Sequence, residues 1–413
     1  MKKVLIVTYY FPPCPTPGAQ RIKSWFEQLP ENGIKTTIIT RHWNENIQNN
    51  IDFISPSIKQ EKVEYPINGN RVIKLPFSPN LRDKLIIKHG LKRHVFLRKS
   101  LSYLNEKFKI FNSFKSFYTA IETELKKSNY DFIIVSGEPF ELFKIASKLS
   151  DKYKTPWIAD YRDAWSTNHS QNNLKHKKAE LKTLQNVHSF ITVSKEYSKR
   201  IQKLIKKQSI IIENGFDKIV PTKIKENKKE EFNIYYSGTI YDSPYVDIFI
   251  NSIENILLNS NFKIIFHFIG IEFYQNNGVK KILETTILYS KNIKIYPRME
   301  YSKLINELSK ADMLLGFIPG SQKDGIISSK HYDYLSLKKK IIYLETKFLQ
   351  NKKYPHNFNW IKYAYNEQEF TNLILKAFNT RFDTIDSEIN EKKLLIYSRQ
   401  NQSKKLANYL NEL

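Results

Sequence analysis

Apolar runs of strand length recur along the first half of the chain, and segments with helical periodicity separate most of them. The runs are Val4–Thr8, Thr36–Thr40, Phe132–Ser136, Trp157–Asp160, Phe190–Ser194 and Ile210–Glu213; the helical segments include Gln20–Leu29, Glu141–Leu149 and Leu174–Leu184. Buried strands alternating with helices form βαβ crossovers, and hence a parallel, doubly wound sheet. Residues 44–70 and 77–128 interrupt the rhythm, the second insert reading as largely helical. The stretch Lys223–Glu231 is charged, lacks apolar periodicity and reads as a linker. Alternation then restarts with Phe232–Tyr236, Lys263–Ile269, Ile293–Tyr296, Met313–Phe317 and Lys340–Leu344. A chain of 413 residues exceeds what one core usually serves, so two α/β units of similar size are expected. Two such units facing each other would bound a cleft at the carboxyl ends of their strands, where helix N-termini favour anionic ligands.

Composition removes several classes. Hydrophobic residues at 41% and aromatics at 14% are enough for packed cores and argue against disorder. No long uncharged apolar run is present, so no transmembrane helix is expected. The opening Met1–Val7 is too short for a secretion signal and runs into Tyr9-Tyr10-Phe11-Pro12-Pro13 without a small-residue cleavage site, so it reads as a first strand. Cys14 is the single cysteine, which allows no intrachain disulfide and fits a reducing compartment; the expected location is cytoplasmic.

The net charge of +25 invites nucleic acid, an anionic membrane or a phosphorylated substrate, although the abundance of Lys, Asn and Ile also matches an AT-rich genome. Distribution is more telling. Leu81–Ser100 (LRDKLIIKHGLKRHVFLRKS) interleaves seven Lys and Arg residues and one acid with bulky apolar side chains. That pattern suits a face lying on anionic lipid, and peripheral membrane contact through 81–116 is expected; a solvated helix pair covering the sheet is the competing reading. Nucleic acid is not expected, since no recognition motif accompanies the charge.

Three stretches carry candidate chemistry. The loop after the first strand is stiffened by prolines and contains Gly18, where backbone can approach a ligand, and Arg21, which can meet an anion. Two middle strands end in Ser136-Gly137-Glu138-Pro139-Phe140 and in Trp157-Ile158-Ala159-Asp160-Tyr161-Arg162-Asp163-Ala164-Trp165. Carboxylates there can orient sugar hydroxyls and aromatic faces can stack on pyranose rings; alternatively Arg162 and Asp163 form a structural ion pair. In the second half Tyr235–Tyr241 runs a strand into the Gly238-Thr239 turn, and Gly325–Leu335 opens a helix with Ser328, Ser329 and Lys330. Serines at a helix start leave N–H groups exposed, Lys330 adds a point charge suited to a diphosphate, and Asp333 follows one turn later. His42 and His169 read as solvated loop residues, and no DxD pair or His/Asp cluster of metal-ligand type stands in a convincing setting.

Taken in order, the FPP-then-glycine opening, ADYRDAW, FITVSKEYSKRI…IIENGFD, YYSGTIYD and ADMLLGF…GIISSKHYDYL resemble GT-B glycosyltransferases of family 4, especially bacterial members that build surface polysaccharides. Tyr397-Ser398-Arg399 and the helix to Leu413 are similar to the C-terminal helix that returns to the first domain in that fold. The resemblance implies two Rossmann-like domains: 1–218 for the acceptor, 219–390 for the nucleotide sugar, with 391–413 packing back on the first. It implies Gly238, Thr239, Ser328, Ser329 and Lys330 near the diphosphate and Asp333 at the ribose, with transfer that retains anomeric configuration and needs no metal or other cofactor. Asp160, Arg162, Asp163 and Glu138 are then the catalytic candidates, and Gly18 and Arg21 the cleft loop. Two departures stand out: no histidine occurs at Gly137-Glu138-Pro139, and the EX7E pair has Asp333 as its clear acidic match, its upstream position falling near Gly325. They leave open a non-catalytic glycan-binding or scaffold partner with the same fold, and within enzymes an epimerase or phosphorylase.

Overall fold

The structure is a computed structural model. It describes the chain except residues 46, 48, 68, 92, 109–113, 167–173, 222–230, 241–243, 260–262, 272–275, 319–326, 346–357 and 382–387. His169, Gly325 and most of the 223–231 stretch therefore lie outside the described residues.

The chain divides into two compact units, the first comprising Met1–Asn214 and Arg399–Leu413, the second Gly215 to Ser398. The sequence reading put these boundaries after residues 218 and 390.

The first unit runs β1 (Lys2–Val7), α1 (Pro17–Gln28), β2 (Ile34–Arg41), α2 (Asn50–Ile54), β3 (Lys62–Ile67), β4 (Asn70–Leu75), α3 (Leu81–His89), α4 (Val95–Phe108), α5 (Lys115–Lys127), β5 (Phe132–Gly137), α6 (Glu141–Tyr153), β6 (Trp157–Tyr161), α7 (Leu174–Thr183), β7 (Ser189–Thr192), α8 (Lys195–Leu204) and β8 (Ser209–Ile211). The sheet order is β3-β4-β2-β1-β5-β6-β7-β8. All neighbours are parallel except β3 against β4. Helices bury both faces, so central strands read as continuous apolar runs rather than alternating ones. Leu5, Val7, Ile133 and Val135 face α5 and α6 through Ile121, Phe143 and Ala146. Val4, Ile6, Ile134 and Ile158 face Trp25 and Phe26 of α1 and Leu406 and Leu410 of the last helix.

In the second unit β9 (Glu231–Ser237), α9 (Pro244–Asn259), β10 (Lys263–Ile269), α10 (Asn277–Leu288), β11 (Ile293–Tyr296), α11 (Tyr301–Leu308), β12 (Met313–Ile318), α12 (Ser329–Ser336), β13 (Lys340–Glu345), β14 (Ile361–Ala364), α13 (Glu367–Asn379) and α14 (Glu388–Leu395) follow in order. Its sheet order is β11-β10-β9-β12-β13-β14, parallel throughout. One face packs on α9, α10 and α13 through Phe249, Ile282 and Phe370, the other on α12 through Tyr332 and Leu335. No helix among the described residues is long and apolar enough to cross a membrane.

The first strand of each sheet is flanked by a strand reached directly and by another reached only later: β2 and β5 around β1, β10 and β12 around β9. Chain direction across the sheet reverses there, and the diverging loops open a crevice at the strand carboxyl ends.

The final helix, α15 (Arg399–Glu412), closes the first unit against α1. Ser24 Oγ and Ser403 Oγ share a 2.9 Å hydrogen bond, and the Glu213 N–H donates to Gln402 Oε1 at 2.8 Å. Arg21, one turn into α1, is 2% exposed and Asp160 on β6 is 0% exposed. Arg21 Nη2 and Nε reach the two Asp160 oxygens at 2.9 and 3.2 Å. Its Nη1 donates to the carbonyls of Ile212 and Glu213 at 2.8 and 3.1 Å, and the guanidinium lies 4.6 Å from the Trp25 ring centroid. Ser136 Oγ donates a further 2.9 Å bond to Asp160.

This corrects two expectations. Arg21 and Asp160 do not face a ligand; they form an enclosed brace joining α1, β6 and the segment after β8. Removing one partner of a buried pair strands the other charge. Asp160→Ala is therefore expected to destabilise the protein by about 3–5 kcal/mol. Urea unfolding checks this, and an unchanged midpoint would refute the brace.

Candidate functional site

In the first unit the remaining candidates gather where β1, β5 and β6 end, beside the reversal between β1 and β5. Arg162, two residues past Asp160, pairs with Asp163 through Nη2 and Oδ2 at 2.7 Å. Its Nε donates to the Gly137 carbonyl at 3.3 Å, and its Cζ lies 5.3 Å from the Tyr10 ring centroid. Gly18 explains how the guanidinium fits: a Cβ there would lie 1.7 Å from Arg162 Nη1 and 2.6 Å from Cζ. The missing side chain at Gly18 thus makes room for Arg162, where the sequence suggested room for a ligand.

Packing behind this loop holds it in place. Tyr197 Oη donates to the Asp163 carbonyl at 3.0 Å. The buried Glu180 accepts from Tyr161 Oη at 2.7 Å and from the Ser166 N–H at 3.2 Å. Phe140 and Trp165 stack with centroids 5.0 Å apart. Burial opposes the charge on Arg162, but Asp163, Tyr10, Asp160 and Glu138 together raise its pKa above the usual value. Surrounding protein and the Asp163 charge push the Glu138 carboxyl up, Arg162 opposing. Glu138 reaches solvent, so the cluster presents one carboxyl of raised pKa beside a guanidinium that Asp163 already compensates. Such a group suits hydrogen bonding to sugar hydroxyls.

In the second unit the turn after β9 and the start of α12 meet at the reversal between β9 and β12. Gly238 has φ +88°, and a Cβ there would lie 3.2 Å from both Cε and Nζ of Lys330. The left-handed backbone favours glycine, and a Cβ there would also press on the flexible end of Lys330. Lys330 Nζ donates to Tyr236 Oη at 3.1 Å and sits 4.3 Å from that ring's centroid. Tyr236 Oη in turn donates to the Thr239 carbonyl at 2.7 Å. Ser328 is the N-cap of α12 and its side chain makes no capping bond; Ser329 opens the helix, and both are partly exposed. Asp333 is 9% exposed and accepts from Tyr301 Oη at 2.8 Å. Tyr334 Oη accepts the Ser237 N–H at 3.1 Å, tying α12 to the end of β9.

Burial lowers the Lys330 pKa to about 7, Asp333 opposing. No carboxylate forms an ion pair with it among the described residues. The turn, the helix N-terminus and this cation converge, as suits a phosphate-bearing ligand.

Sequence reading missed Tyr10, Tyr236 and Tyr301 as site components. The tyrosine-rich strand ends were visible, but nothing local says which rings turn toward the lysine or the arginine.

No family model matches the chain, and no curated protein does. Among solved structures, Alr3699/HepE of Anabaena, in complex with UDP and glucose, is similar at 11% identity and a TM-score of 0.61, covering 100% of both chains. A glycosyltransferase from Rickettsia africae is similar at 12% identity and a TM-score of 0.60, over 100% of this chain and 98% of its own. The lipopolysaccharide outer core galactosyltransferase WaaB in its apo form is similar at 10% identity and a TM-score of 0.55, over 100% of both chains. These likenesses define the class of architecture: GT-B, with two parallel-sheet Rossmann-like units.

The lysine yields a pH test with UDP as probe. Below pH 7 Lys330 is charged before binding; above it, binding must take up a proton. UDP affinity is therefore expected to fall as pH rises above about 7, by at most about tenfold per pH unit, and the fall should vanish in Lys330→Ala. Calorimetry across pH 6–9.5, an interval chosen to bracket about two pH units beyond the Lys330 value, measures both. The same slope in both proteins would exclude Lys330 as its source.

Proposed function

We propose that the chain is a retaining glycosyltransferase of the family 4 kind. It moves a sugar from a nucleotide donor to a glycan or lipid-linked glycan acceptor in the synthesis of a bacterial surface polysaccharide. The observation that carries this reading is the partly exposed Lys330 side chain at the α12 N-terminus beside Gly238, held over Tyr236 with no carboxylate in ion-pair contact among the described residues. The GT-B fold and the motif resemblance support it.

In this reading Gly238, Thr239, Ser328, Ser329 and Lys330 hold the donor diphosphate, and Asp333 with Tyr301 meets the ribose. Glu138, Arg162 and Asp163 serve the acceptor. During transfer the bond from the anomeric carbon to the diphosphate oxygen breaks, a bond to an acceptor hydroxyl oxygen forms, and the hydroxyl proton passes to the departing diphosphate oxygen. Negative charge grows on the departing diphosphate, where Lys330 and the α12 N–H groups stabilise it without a metal ion. The reaction belongs at the cytoplasmic side of a membrane.

Two experiments test the reading. A panel of UDP-, GDP- and ADP-sugars should contain a donor that raises the melting temperature and is consumed when acceptor is supplied. Lys330→Ala should weaken binding of the matching nucleoside diphosphate about tenfold or more, with circular dichroism unchanged. Parent-like affinity would remove the donor site, and absence of any donor binding would remove the function.

Membrane contact belongs to the same reading. On α3, α4 and the turn between them, Phe96 is 85% and Tyr103 62% exposed, among exposed Lys84, Lys88, Arg93 and Lys99. Each Lys or Arg near an anionic surface contributes about 1 kcal/mol, so several hold a protein reversibly. The chain should co-sediment with phosphatidylserine vesicles at low salt, less at high salt, and the Lys84, Lys88, Arg93 and Lys99→Glu variant should not. Equal sedimentation of both proteins would refute this.

A further inference from the structure

A cavity of about 300 Å³ opens in the first unit beyond the carboxyl ends of β1, β2 and β4. Its wall includes Tyr9, Tyr10, Trp43 and Phe77, and its polar lining includes Arg41, Ser78 and Asp83. Arg41, the last residue of β2, is 4% exposed. The Phe77 and Trp43 ring centroids lie 3.5 and 4.0 Å from its Cζ. One edge of the guanidinium is partly used: Nη1 donates to Tyr9 Oη at 2.9 Å and Nη2 to the Ser55 carbonyl at 3.4 Å. The buried Nε has no hydrogen-bond partner among the described residues. No carboxylate comes within ion-pair distance of Arg41 among the described residues, and burial lowers its pKa. Asp83 lines the same cavity without pairing with it; its carboxylate lies 4.0 Å from Arg82 Nη1, and burial raises its pKa with Arg82 and Arg41 opposing.

An arginine so enclosed is held at a cost that a counter-anion relieves. Trp43 is 2% exposed and covered by Tyr10 and Arg41, so the apolar surface open to a sugar ring comes from the partly exposed Tyr9, Phe77 and Phe114. The volume is at the low end of the ~300–1,000 Å³ of small-molecule pockets, enough for one ring and too little for an oligosaccharide. We propose that this cavity binds a single pyranose unit bearing a carboxylate or phosphate, its ring face on the aromatic wall and its anionic substituent on Arg41. Tyr10 connects the cavity to the catalytic candidates: its ring stacks on Trp43 at 5.6 Å and faces Arg162 at 5.3 Å. A sugar in the cavity is thus one aromatic ring away from the Arg162 cluster. The identification of that sugar as part of the acceptor rests on the proposed function; the anion site itself does not.

The test is calorimetric titration of the full chain with glucose, glucuronate and glucose 6-phosphate. At least one charged sugar should bind about tenfold or more tightly than glucose, and which one does so distinguishes carboxylate from phosphate. Arg41→Met should abolish the preference. Because that residue is buried, Ser78→Glu at the exposed rim provides a second variant; it should weaken the charged sugar about tenfold and leave glucose unaffected. Equal affinity for all three sugars, no binding of any, or a preference that survives Ser78→Glu would overturn the proposal. UDP titrated in parallel separates the two readings. UDP binding without charged-sugar binding defeats this inference alone; charged-sugar binding with no nucleotide binding defeats the proposed function alone.

Discussion

The first unit depends on an arginine that gives up water entirely. Arg21 is tolerable inside because its donors are used on both Asp160 oxygens and on the carbonyls of Ile212 and Glu213, with Trp25 beneath it. The groups it joins are far apart in the chain, so the contact forms only when α1, β6 and the strand-8 exit have all arrived. Two residues beyond Asp160 the chain turns outward at Arg162, and Gly18 on α1, three residues before Arg21, leaves that guanidinium its space. A shift of α1 would close this space. The brace thereby fixes the geometry of the neighbouring cluster without entering it.

The two sheets reach similar solutions from unrelated local sequences. Each places its candidate residues at the reversal beside its first strand, and each sets a glycine against a cation: Gly18 of α1 against Arg162, Gly238 of the turn after β9 against Lys330. The reason is topological. Loops leaving adjacent strands in opposite directions cannot cover the crevice between them. In a sheet buried on both faces, that crevice is where backbone N–H groups and side chains remain available to a ligand.

Much of this architecture was legible because buried parallel strands announce themselves as short apolar runs between helical segments. The hairpin of β3 and β4 was not. β3 is an edge strand, Lys-Val-Glu-Tyr-Pro-Ile, whose Glu64 forms ion pairs with Lys62 and Lys74 and whose proline an edge tolerates, so it carries no core-strand signature. β14 was missed for a related reason, being four residues long with Lys362 exposed. At the site the limit was different. Asp160, Arg162 and Asp163 share one short motif, and sequence gave no means of learning that the first turns inward to Arg21, 139 residues away, while the others turn outward. Strand alternation separates neighbours by face, but which face holds a buried cation is set by a distant helix.

Charge compensation then separates cations paired with a carboxylate from cations that have none in ion-pair contact among the described residues. Arg21 has Asp160, Arg162 has Asp163 and Arg71 has Glu124. Each pair is satisfied within the protein, so an added anion would find its charge already met. Lys330 and Arg41 differ: among the described residues no carboxylate is in ion-pair contact with either, Lys330 lies partly exposed over Tyr236, Arg41 is buried against aromatic rings, and burial lowers the pKa of both. Aromatic faces attract a cation without neutralising it, so such a setting supplies no counter-ion, and a bound anion would restore the charge that burial disfavours. The net charge of +25 made anionic partners plausible from composition alone. We assign anionic ligands to two positions, one beside a helix N-terminus suited to a diphosphate and one in an aromatic cavity suited to an acidic sugar. Neither depends on the many exposed lysines that set the total.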